Sequence, residues 1–497
     1  MTEMDSRKKL TQRILFSFAV ALVTILVFSC CSPLYPFNYW EDPNCFFTVG
    51  LGILKGQVPY RDLYEQKGPL LYFIHALAAL ISRNSFLGVF FIQIVICTVT
   101  HFFWIKIAEL YTKVTIRLYI LSVPALMLLY SVNSYFYGDS AEEMILPFYV
   151  ITLYIILKAI KTKKMPGKGE TAFIAIGSAC AFWIKYTLCG YFLGTVLIFL
   201  VFAIREKKFK ELLKLIGVYI ATFVLASLPV LAYFAANHAV GDMFTAYFYN
   251  NIFLYRNVSD PIPLSGVLPY SLIITVIKLG VNPYLAVMLI LSIVFFVVKR
   301  LFAELLAYMT LFLCTIVFIF QGSFIGFYYI FALAALAFPA LAGVECLLAK
   351  IKVKEFIVAP VAAGLVVLAF FASLATDNIF RKKEELPQYV FAEYTKDYPD
   401  ATMLNYDFLD QGFYTVCGIK PTVKYFCLLN IDTVYNEARL SKELAIANQK
   451  VDFVVTKNHT YEWEGYKLVK ACEYTAMDFN AYNGTDAFYL YKRTDLK

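Results

Sequence analysis

The chain has 497 residues, of which 60% are hydrophobic, 18% aromatic and only 16% charged. Soluble domains carry about 25% charged residues, so this composition excludes a soluble globular protein and predicts a membrane protein with many spans. The formal net charge of +8 would suggest nucleic-acid binding in a soluble protein, but here we expect the basic residues to mark membrane topology instead.

Eleven apolar segments are predicted as membrane-spanning helices, because about 20 apolar residues cross a bilayer. The first follows the basic run Arg7-Lys8-Lys9 and is interpreted as an uncleaved span, since no small-residue cleavage site follows it. In chain order the segments are 14–32, 86–105, 116–132, 144–160, 170–184, 187–204, 212–235, 281–298, 301–320, 327–349 and 355–374.

The distribution of Lys and Arg supports this topology. With a cytoplasmic N-terminus, 22 of the Lys and Arg residues in the first 374 positions lie in predicted inner segments and seven in predicted outer ones. Cytoplasmic segments of membrane proteins carry such an excess. The pattern therefore predicts two long outer loops, at about 33–85 and 236–280.

The first outer loop contains "NCFFTVGLGILKG" and "GPLLYFIHALAALIS". Both are short and apolar, which predicts helices lying in the membrane interface. After Thr376 the composition becomes mixed and charged, and "DATMLNY", "VDFVVTK" and "AFYLYKR" are typical of strands while "VYNEARLSKELAIANQ" has helical spacing. We therefore predict an all-α transmembrane domain over 1–374 and a small extracytoplasmic α/β domain over 375–497.

Charged and polar residues concentrate in the predicted outer segments. Cations of this kind can neutralise a lipid-linked phosphate, and a carboxylate can orient or deprotonate an acceptor hydroxyl. The candidates are Glu41, Asp42, Asp62 and Lys67 in the first loop, Asp139 and Glu142 at the start of the fourth span, Lys185 in a helical hairpin, and Asn251 and Arg256 in the second loop.

Each candidate also has a structural interpretation. Asp42 is a possible N-cap of a helix beginning at Pro43, and Asp62 could form a turn or pair with Arg61. Lys67 could anchor at the lipid headgroups. Asp139 could cap the fourth span, with Gly138 providing backbone freedom, and Glu41 and Glu65 could be solvated or structural.

The His and Cys residues show no pattern that predicts a zinc site. The four His are interpreted as structural, and the eleven Cys are scattered without metal-ligand spacing. A pairing of Cys417 with Cys427 stays open.

Several short motifs resemble those of the C-type (GT-C) membrane glycosyltransferases, which include protein O-mannosyltransferases and the aminoarabinose transferases that modify lipid A. The first is an acidic residue soon after the first span, followed by an interfacial helix and the run Lys67-Gly68-Pro69-Leu70-Leu71-Tyr72. The others are "YGDSAEEM" with Asp139, "YFYNNIFLYRN" in the second loop, and "GFYYIFALAALAFPAL" with Tyr328.

The resemblance implies a transferase that moves a sugar from a polyprenyl-phosphate donor to a lipid, polymer or protein acceptor outside the cytoplasmic membrane, with inversion. It implies that Asp42 is the base or acceptor-orienting group and that Asp139 supports the acceptor or a divalent metal, whose requirement stays open. Donor phosphate would be bound by Lys67, Lys185 and Arg256, and the supporting residues would be Glu41, Asp62, Glu142, Asn251 and Tyr328. No nucleic-acid partner is expected.

Three other classes of function compete with this one. The main alternative is a transporter or flippase for a lipid-linked saccharide, although such proteins place polar groups near the membrane midplane and use paired repeats. The others are a glycan polymerase or ligase, and a receptor or scaffold whose tail binds a partner.

Overall fold

The computed structural model describes residues 3–254, 263–320, 326–429, 431–475 and 485–496. Helices dominate these residues because a helix satisfies its own backbone hydrogen bonds where no water is present. In chain order they are α1 (Glu3–Phe28), α2 (Glu41–Leu54), α3 (Pro69–Ala79), α4 (Leu87–Glu109), α5 (Ile116–Tyr130), α6 (Ala141–Thr162), α7 (Lys168–Ile184), α8 (Gly190–Arg205), α9 (Phe209–Ala236), α10 (Val240–Met243), α11 (Leu264–Gly280), α12 (Pro283–Val298), α13 (Phe302–Ile319), α14 (Pro339–Lys350), α15 (Glu355–Ala372), α16 (Pro387–Thr395), α17 (Phe413–Cys417) and α18 (Asp432–Ala447).

Irregular helical segments interrupt this series. Four are 3₁₀ helices, Tyr186–Cys189, Phe327–Ala337, Thr376–Asn378 and Lys383–Glu385, and one is a π-helix, Phe244–Leu254. The strands are β1 (Met403–Asn405), β2 (Phe453–Lys457), β3 (Tyr466–Thr475) and β4 (Thr485–Arg493).

The predicted multi-pass character is confirmed. Seven of the described helices are long and apolar enough to cross a membrane, and the number rises to nine if each of two bent pairs forms one span. The bent pairs are α11 with α12, at 119°, and the second 3₁₀ helix with α14, at 44°. The count of eleven is not confirmed, because α5 and α7, at 15 and 17 residues, are shorter than a typical span.

The chain divides into two compact units. We call them the membrane unit, which comprises Met1–Ser29, Phe91–Pro229 and Val258–Thr376, and the loop–tail unit, which comprises Cys30–Phe90, Val230–Asn257 and Asp377–Lys497. The predicted tail thus groups with the first predicted loop, and the division at residue 375 into two domains stays a prediction.

Small residues bring two helices of the membrane unit into close contact. A Cβ added at Gly190 would lie 2.4 Å from the backbone oxygen of Cys314, and one at Gly194 would lie 3.3 Å from the Cα of Leu311. Glycines that let helix backbones approach are characteristic of helix packing in membranes. They fix α8 against α13, next to the hairpin that carries Lys185.

In the loop–tail unit, the two predicted interfacial helices pack on each other. Gly50 of α2 leaves no room for a side chain, since a Cβ there would lie 2.7 Å from the backbone nitrogen of Ala76. His75 of α3 is fully buried, and its Nδ1 lies 2.8 Å from the Leu71 carbonyl oxygen. This contact agrees with the structural role predicted for the histidines.

The tail of this unit binds the first loop through hydrogen bonds between residues far apart in the chain. The Thr48 hydroxyl donates to Asp410 Oδ2 at 2.6 Å, and Gln411 Nε2 donates to Glu41 Oε1 at 3.0 Å. The loop and the tail therefore stabilise each other, and α2 is held from the tail side.

A four-stranded sheet in the order β1-β2-β4-β3 forms the centre of the tail. The β1–β2 pair is parallel and the other pairs are antiparallel. The three segments predicted as strands contain β1, β2 and β4, and the predicted helix is α18. An apolar core that includes Leu404, Ile446 and Val454 joins α18 to the sheet.

The buried carboxyl group of Asp410 makes the stability of the tail depend on pH. Burial raises its pKa to about 6, although Thr48, the Gly412 backbone and Asn405 all donate hydrogen bonds to it. The folded state therefore binds the proton more tightly than the unfolded state, whose Asp pKa is about 3.9. The contribution of this group to stability is largest below about pH 4 and is lost as the pH rises to about 6.

We expect Asp410→Asn to remove this slope and to raise the free energy of unfolding at pH 7 by on the order of 3 kcal/mol relative to the parent. Asparagine can keep the same three contacts, with its amide donating to Thr48. Thermal unfolding of both proteins between pH 4 and pH 7 measures the difference. Parallel stability curves over this range would contradict the prediction.

All eleven cysteines are free thiols. Cys417 does not pair with Cys427. The Cys427 thiol instead interacts with the thiol of Cys45 on α2, and burial together with this contact raises the pKa of Cys45.

Candidate active site

The first cluster of candidate residues lies in the loop–tail unit, at the start of α2. The helix begins at Glu41, and its N-cap Trp40 has no side-chain capping bond. Glu41 and Asp42 thus occupy the first turn, where carboxylates interact favourably with the helix dipole. The interpretation of Asp42 as the N-cap of a helix starting at Pro43 is wrong, because the helix starts two residues earlier.

Asp42 forms an ion pair with Lys67. Lys67 Nζ lies 3.2 Å from Asp42 Oδ2, and the two side chains remain 12% and 25% exposed, respectively. The same ammonium group lies 5.6 Å from the ring centre of Phe46. Both groups are therefore held in position and are still accessible to a ligand.

The backbone of Lys67 is fixed by three neighbouring side chains. Its carbonyl oxygen accepts hydrogen bonds from Tyr60 at 2.7 Å and from Tyr72 at 3.0 Å, and its N–H donates to Glu65 Oε2 at 2.8 Å. The Tyr72 hydroxyl also lies against the same Glu65 oxygen, so its one hydrogen is shared between Glu65 and the Lys67 carbonyl group. Glu65 is thus structural, as one of the two interpretations of the sequence held.

The other acidic candidates of this loop have structural contacts. Asp62 accepts from the Val58 backbone at 2.8 Å and from the Arg61 guanidinium at 2.9 and 2.8 Å. The Arg61 bond lowers the pKa of Asp62. Glu41 is partly buried and binds Gln411, and burial raises the pKa of Glu41. The hydrogen bonds of both carboxylates are thus made to partners other than Lys67.

The π-helix braces the segment that precedes Lys67. Asn251 Nδ2 donates to the carbonyl oxygens of Gln66 and Tyr247 at 2.7 and 2.8 Å, and Asn250 Nδ2 donates to the Tyr64 hydroxyl at 2.9 Å. Asn251 therefore positions the segment before Lys67, and its supporting role in the site stays a prediction. Arg256 lies outside the described residues.

The second cluster lies in the membrane unit, at the start of α6. Ser140 is the N-cap, and its hydroxyl accepts from the Glu143 backbone at 3.0 Å. The interpretation of Asp139 as the cap is therefore wrong. Asp139 is fully buried and has a φ of +71°, and its N–H donates to Glu143 Oε2 at 2.8 Å. A non-glycine residue held in this strained region is often part of a functional site.

Gly138 provides the backbone freedom that was expected next to Asp139. Its φ is +82°, and an added Cβ would lie 2.7 Å from Ser29 Oγ and 2.9 Å from both Gln93 Nε2 and the Tyr135 hydroxyl. Gln93 and Tyr135 both donate to Glu143. A side chain at position 138 would thus disturb the network that holds Asp139.

We expect Gly138→Ala to lower the free energy of unfolding by about 2–4 kcal/mol, from the strained backbone and the overpacking together. Gly217→Ala is the matched control, because nothing lies within 4 Å of a Cβ at that position of α9; helix propensity predicts that it is neutral or stabilising by about 1 kcal/mol. Thermal unfolding of the purified variants provides the test. Equal stability of the two variants would contradict it.

The buried ion pair of this cluster joins Glu142 to Lys185. Lys185 lies in extended backbone between α7 and the first 3₁₀ helix, with φ −162° and ψ 99°, so the helical break turns it towards α6. Its Nζ lies 2.6 Å from Glu142 Oε1, and the two side chains are 9% and 1% exposed. Glu142 Oε2 is buried and accepts no hydrogen bond from the described residues.

Two tyrosine rings complete the environment of Lys185. Its Nζ lies 5.3 Å from the ring centre of Tyr328 and 3.2 Å from that of Tyr329. Cation–π contacts of this kind are worth about 2 kcal/mol or more when the ammonium group is desolvated. The ammonium group thus has a carboxylate and two aromatic rings as neighbours in a largely buried position.

The metal requirement of the site near Asp139 stays open. Over the part of the chain that the structure describes, no three His, Cys, Asp or Glu side chains lie together in a way that could hold a metal ion. The described side chains of the two clusters provide carboxylates, ammonium groups and hydroxyl groups.

Comparisons with known proteins identify the architecture. No protein-family model matches the sequence, and no curated protein matches it either. Among solved structures, the chain is similar to ArnT from Cupriavidus metallidurans bound to undecaprenyl phosphate, with a TM-score of 0.59, 12% identity, and coverage of 97% of this chain and 98% of that chain. The chain has the ArnT fold.

A second ArnT structure, from the same organism in the apo state, gives a TM-score of 0.58 at 11% identity and covers 90% of this chain and 93% of that one. The resemblance to C-type membrane glycosyltransferases is thus confirmed at the level of the fold. The ArnT fold includes the tail as well as the membrane helices, since both chains match over nearly their full length.

Within the ArnT fold, the structure brings together some of the predicted residues. Asp42 meets Lys67 in the loop–tail unit, and Lys185 meets Glu142 and Tyr328 in the membrane unit. A common site for Asp42 and Asp139 stays a prediction, as do the catalytic roles of both.

Sequence reasoning missed two features of these clusters. Tyr329 approaches Lys185 more closely than Tyr328 does, but the run "GFYYIF" contains nothing that separates the two. Tyr60, which fixes the Lys67 carbonyl group, lies in a turn with a φ of +69°. In the run "VPYRDLY", only Pro59 is a weak signal of that turn.

Proposed function

We propose that this chain is an integral-membrane glycosyltransferase. It moves a sugar from a polyprenyl-phosphate donor to an acceptor on the outer face of the cytoplasmic membrane, in the synthesis of cell-envelope glycans or glycoconjugates. The observation that carries the proposal is the Asp42–Lys67 ion pair, held at 3.2 Å at the start of α2 in a chain with the ArnT fold.

The donor proposal draws support from the ArnT structure that was solved bound to undecaprenyl phosphate. Lys67 supplies a partly exposed ammonium group on a fixed backbone, which suits a phosphate. The ion pair with Asp42 keeps this ammonium group in place before the donor binds.

In the proposed reaction the acceptor hydroxyl attacks the anomeric carbon of the donor sugar. The bond from that carbon to the phosphate oxygen breaks, the hydroxyl proton passes to Asp42, and the polyprenyl phosphate leaves. The configuration at the anomeric carbon is inverted, since there is a single displacement.

Lys67 favours this reaction because charge develops on its ligand. The donor phosphodiester carries one negative charge, whereas the departing monoester gains a second. An ammonium group beside it therefore binds the transition state more strongly than the ground state, which is the requirement for catalysis.

Residues of the membrane unit have assigned roles in the same proposal. The Lys185 ammonium group, buried against Glu142 and two tyrosine rings, binds phosphate oxygen. Asp139 and the second oxygen of Glu142 are acceptors for hydroxyl groups of the sugar or of the acceptor molecule. Arg256 is proposed as a further phosphate ligand on sequence grounds alone.

The test begins with donor-lipid binding. We expect undecaprenyl phosphate to raise the unfolding temperature of the purified chain in lipid nanodiscs, and Lys67→Gln to weaken this binding at least tenfold. Lys55→Gln is the matched control, because Lys55 is an exposed lysine at the C-terminal end of α2, 12 positions before Lys67 in the same loop.

Transfer itself is followed as movement of labelled sugar from the polyprenyl phosphate to product in membrane vesicles that contain the chain. Absence of transfer from every polyprenyl-phosphate sugar tried would overturn the proposal. Movement of the intact lipid-linked sugar across the bilayer without transfer would favour the flippase instead.

A further inference from the structure

The tail domain contains a pocket of about 310 Å³ on the face of α18. Tyr435, Ala438, Arg439, Lys442 and Glu443 line one wall, and their spacing of three and four residues places them on one side of the helix. The small side chain of Ala438, between larger neighbours, leaves the space. Known ligand pockets begin at about 300 Å³, so this one accommodates a single small ring.

Aromatic side chains build the opposite wall. Tyr461 stacks on Trp463 with ring centres 4.9 Å apart and an angle of 3°, and Tyr406 meets both rings edge-on, at 5.1 and 5.2 Å. Such mutual packing fixes the rings. Tyr406 and Tyr461 both line the pocket.

Polar groups of both signs converge on the same space. Asp407 accepts from the Lys457 backbone at 2.9 Å and from the Tyr461 hydroxyl at 3.2 Å. Lys442 is only 3% exposed, and its ammonium group donates to the carbonyl oxygens of Tyr406 and Cys427. At the rim, Arg439 Nε lies 3.2 Å from Glu443 Oε1.

The charges of the pocket balance one another. Arg439 is paired with Glu443, and Lys442 interacts electrostatically with Asp407, which also lines the pocket. Burial lowers the pKa of Lys442 to about 8 and raises the pKa of Asp407. An anionic ligand such as a phosphate would meet two carboxylates, whereas a neutral ligand meets donors and acceptors without excess charge.

We propose that this pocket binds one neutral sugar unit of a glycan. A sugar ring has an apolar C–H face that packs on aromatic rings and a rim of hydroxyl groups that bond to carboxylates, ammonium and guanidinium groups. The pocket offers both kinds of surface, at the size of one ring. The inference goes beyond the proposed transferase activity and does not depend on it.

The binding test uses the full chain in lipid nanodiscs, because alkyl maltoside detergents carry sugars that would compete. The probes are the methyl glycosides of glucose, galactose, mannose and N-acetylglucosamine, and saturation-transfer NMR measures their binding. We expect at least one probe to bind, and its affinity to fall at least fivefold in Tyr435→Ser. Tyr435 is 38% exposed, so this change removes a pocket wall at little cost in stability.

Two further variants of the chain complete the test, one inside the pocket and one outside it. Asp407→Asn preserves shape and is also expected to weaken binding at least fivefold, while Phe380→Ala removes an 88% exposed aromatic side chain outside the pocket and is expected to bind as the parent does. Absence of binding by all four probes, or unchanged affinity in both pocket variants, would overturn the proposal. Tighter binding of methyl glucuronide than of methyl glucoside would overturn the assignment of a neutral sugar.

Discussion

Asp42→Asn is expected to lower the turnover rate of sugar transfer by at least a hundredfold. An amide cannot accept the proton of the attacking hydroxyl, and loss of a general base usually costs a factor of about 10²–10⁴. The change preserves the size of the side chain. The rate constant at saturating donor, measured with labelled polyprenyl-phosphate sugar, provides the comparison.

A loss of protein stability would not explain such a loss of turnover. The Asp42–Lys67 pair is partly exposed, and ion pairs of this kind contribute about 1 kcal/mol or less to stability. We therefore expect the unfolding temperature of Asp42→Asn to stay close to that of the parent. Asp400→Asn, at an exposed position of the tail, is the matched control for the chemical change. A variant at position 42 that retains more than a tenth of parental turnover would refute the role of base.

Lys185→Met is expected to lower the free energy of unfolding by about 3–5 kcal/mol, the largest loss of stability among these variants. The substitution leaves the Glu142 carboxylate buried at 1% exposure without its cation, and breaking a buried pair from one side costs this much. Lys158→Met is the control, since the Lys158–Glu170 pair is 44% and 32% exposed and surface pairs contribute at most about 1 kcal/mol. Chemical unfolding in mixed micelles measures both.

The double variant Glu142→Leu/Lys185→Met separates structure from catalysis. Replacing both charges with apolar groups is often neutral or stabilising, so the double variant is expected to be more stable than Lys185→Met. We expect sugar transfer to remain at least tenfold below the parental rate, because the phosphate has lost a ligand. A stable double variant that transfers sugar at the parental rate would show that Lys185 has a structural role only.

Local patterns of the sequence predicted those parts of the fold that depend on neighbours in the chain. The two interfacial helices and α18 follow from apolar or helical spacing over about four turns. The Asp42–Lys67 pair joins residues 25 positions apart, and the sequence placed both in the first loop without predicting their contact.

Longer-range pairings had no local signal. Lys185 and Glu142 are 43 positions apart on different helices, and only the break after α7 turns one towards the other. The hydrogen bonds between α2 and the tail span 362 and 370 positions, and both donors are ordinary side chains. The sugar-sized pocket was equally invisible, since it depends on how α18 packs on the sheet.

The predicted count of eleven spans is not confirmed, for a different reason. Hydropathy measures the apolar content of a segment, whereas a span also needs length and continuity. α5 and α7 are apolar but short, whereas the bend of 119° between α11 and α12 falls at the run Gly280-Val281-Asn282-Pro283, whose Gly, Asn and Pro are ordinary break signals.

The bond between Thr48 and Asp410 also constrains the order in which the protein matures. A ribosome adds about 5–20 residues per second, so the 362 positions between these residues take about 20–70 s to synthesise. During that interval the helix that carries Asp42 exists without the partner that holds it. The helix α2, which carries the carboxylate proposed as the base, thus gains these bonds only after residues 410 and 411 have been synthesised, and we expect a chain truncated before the tail to be inserted in the membrane yet inactive.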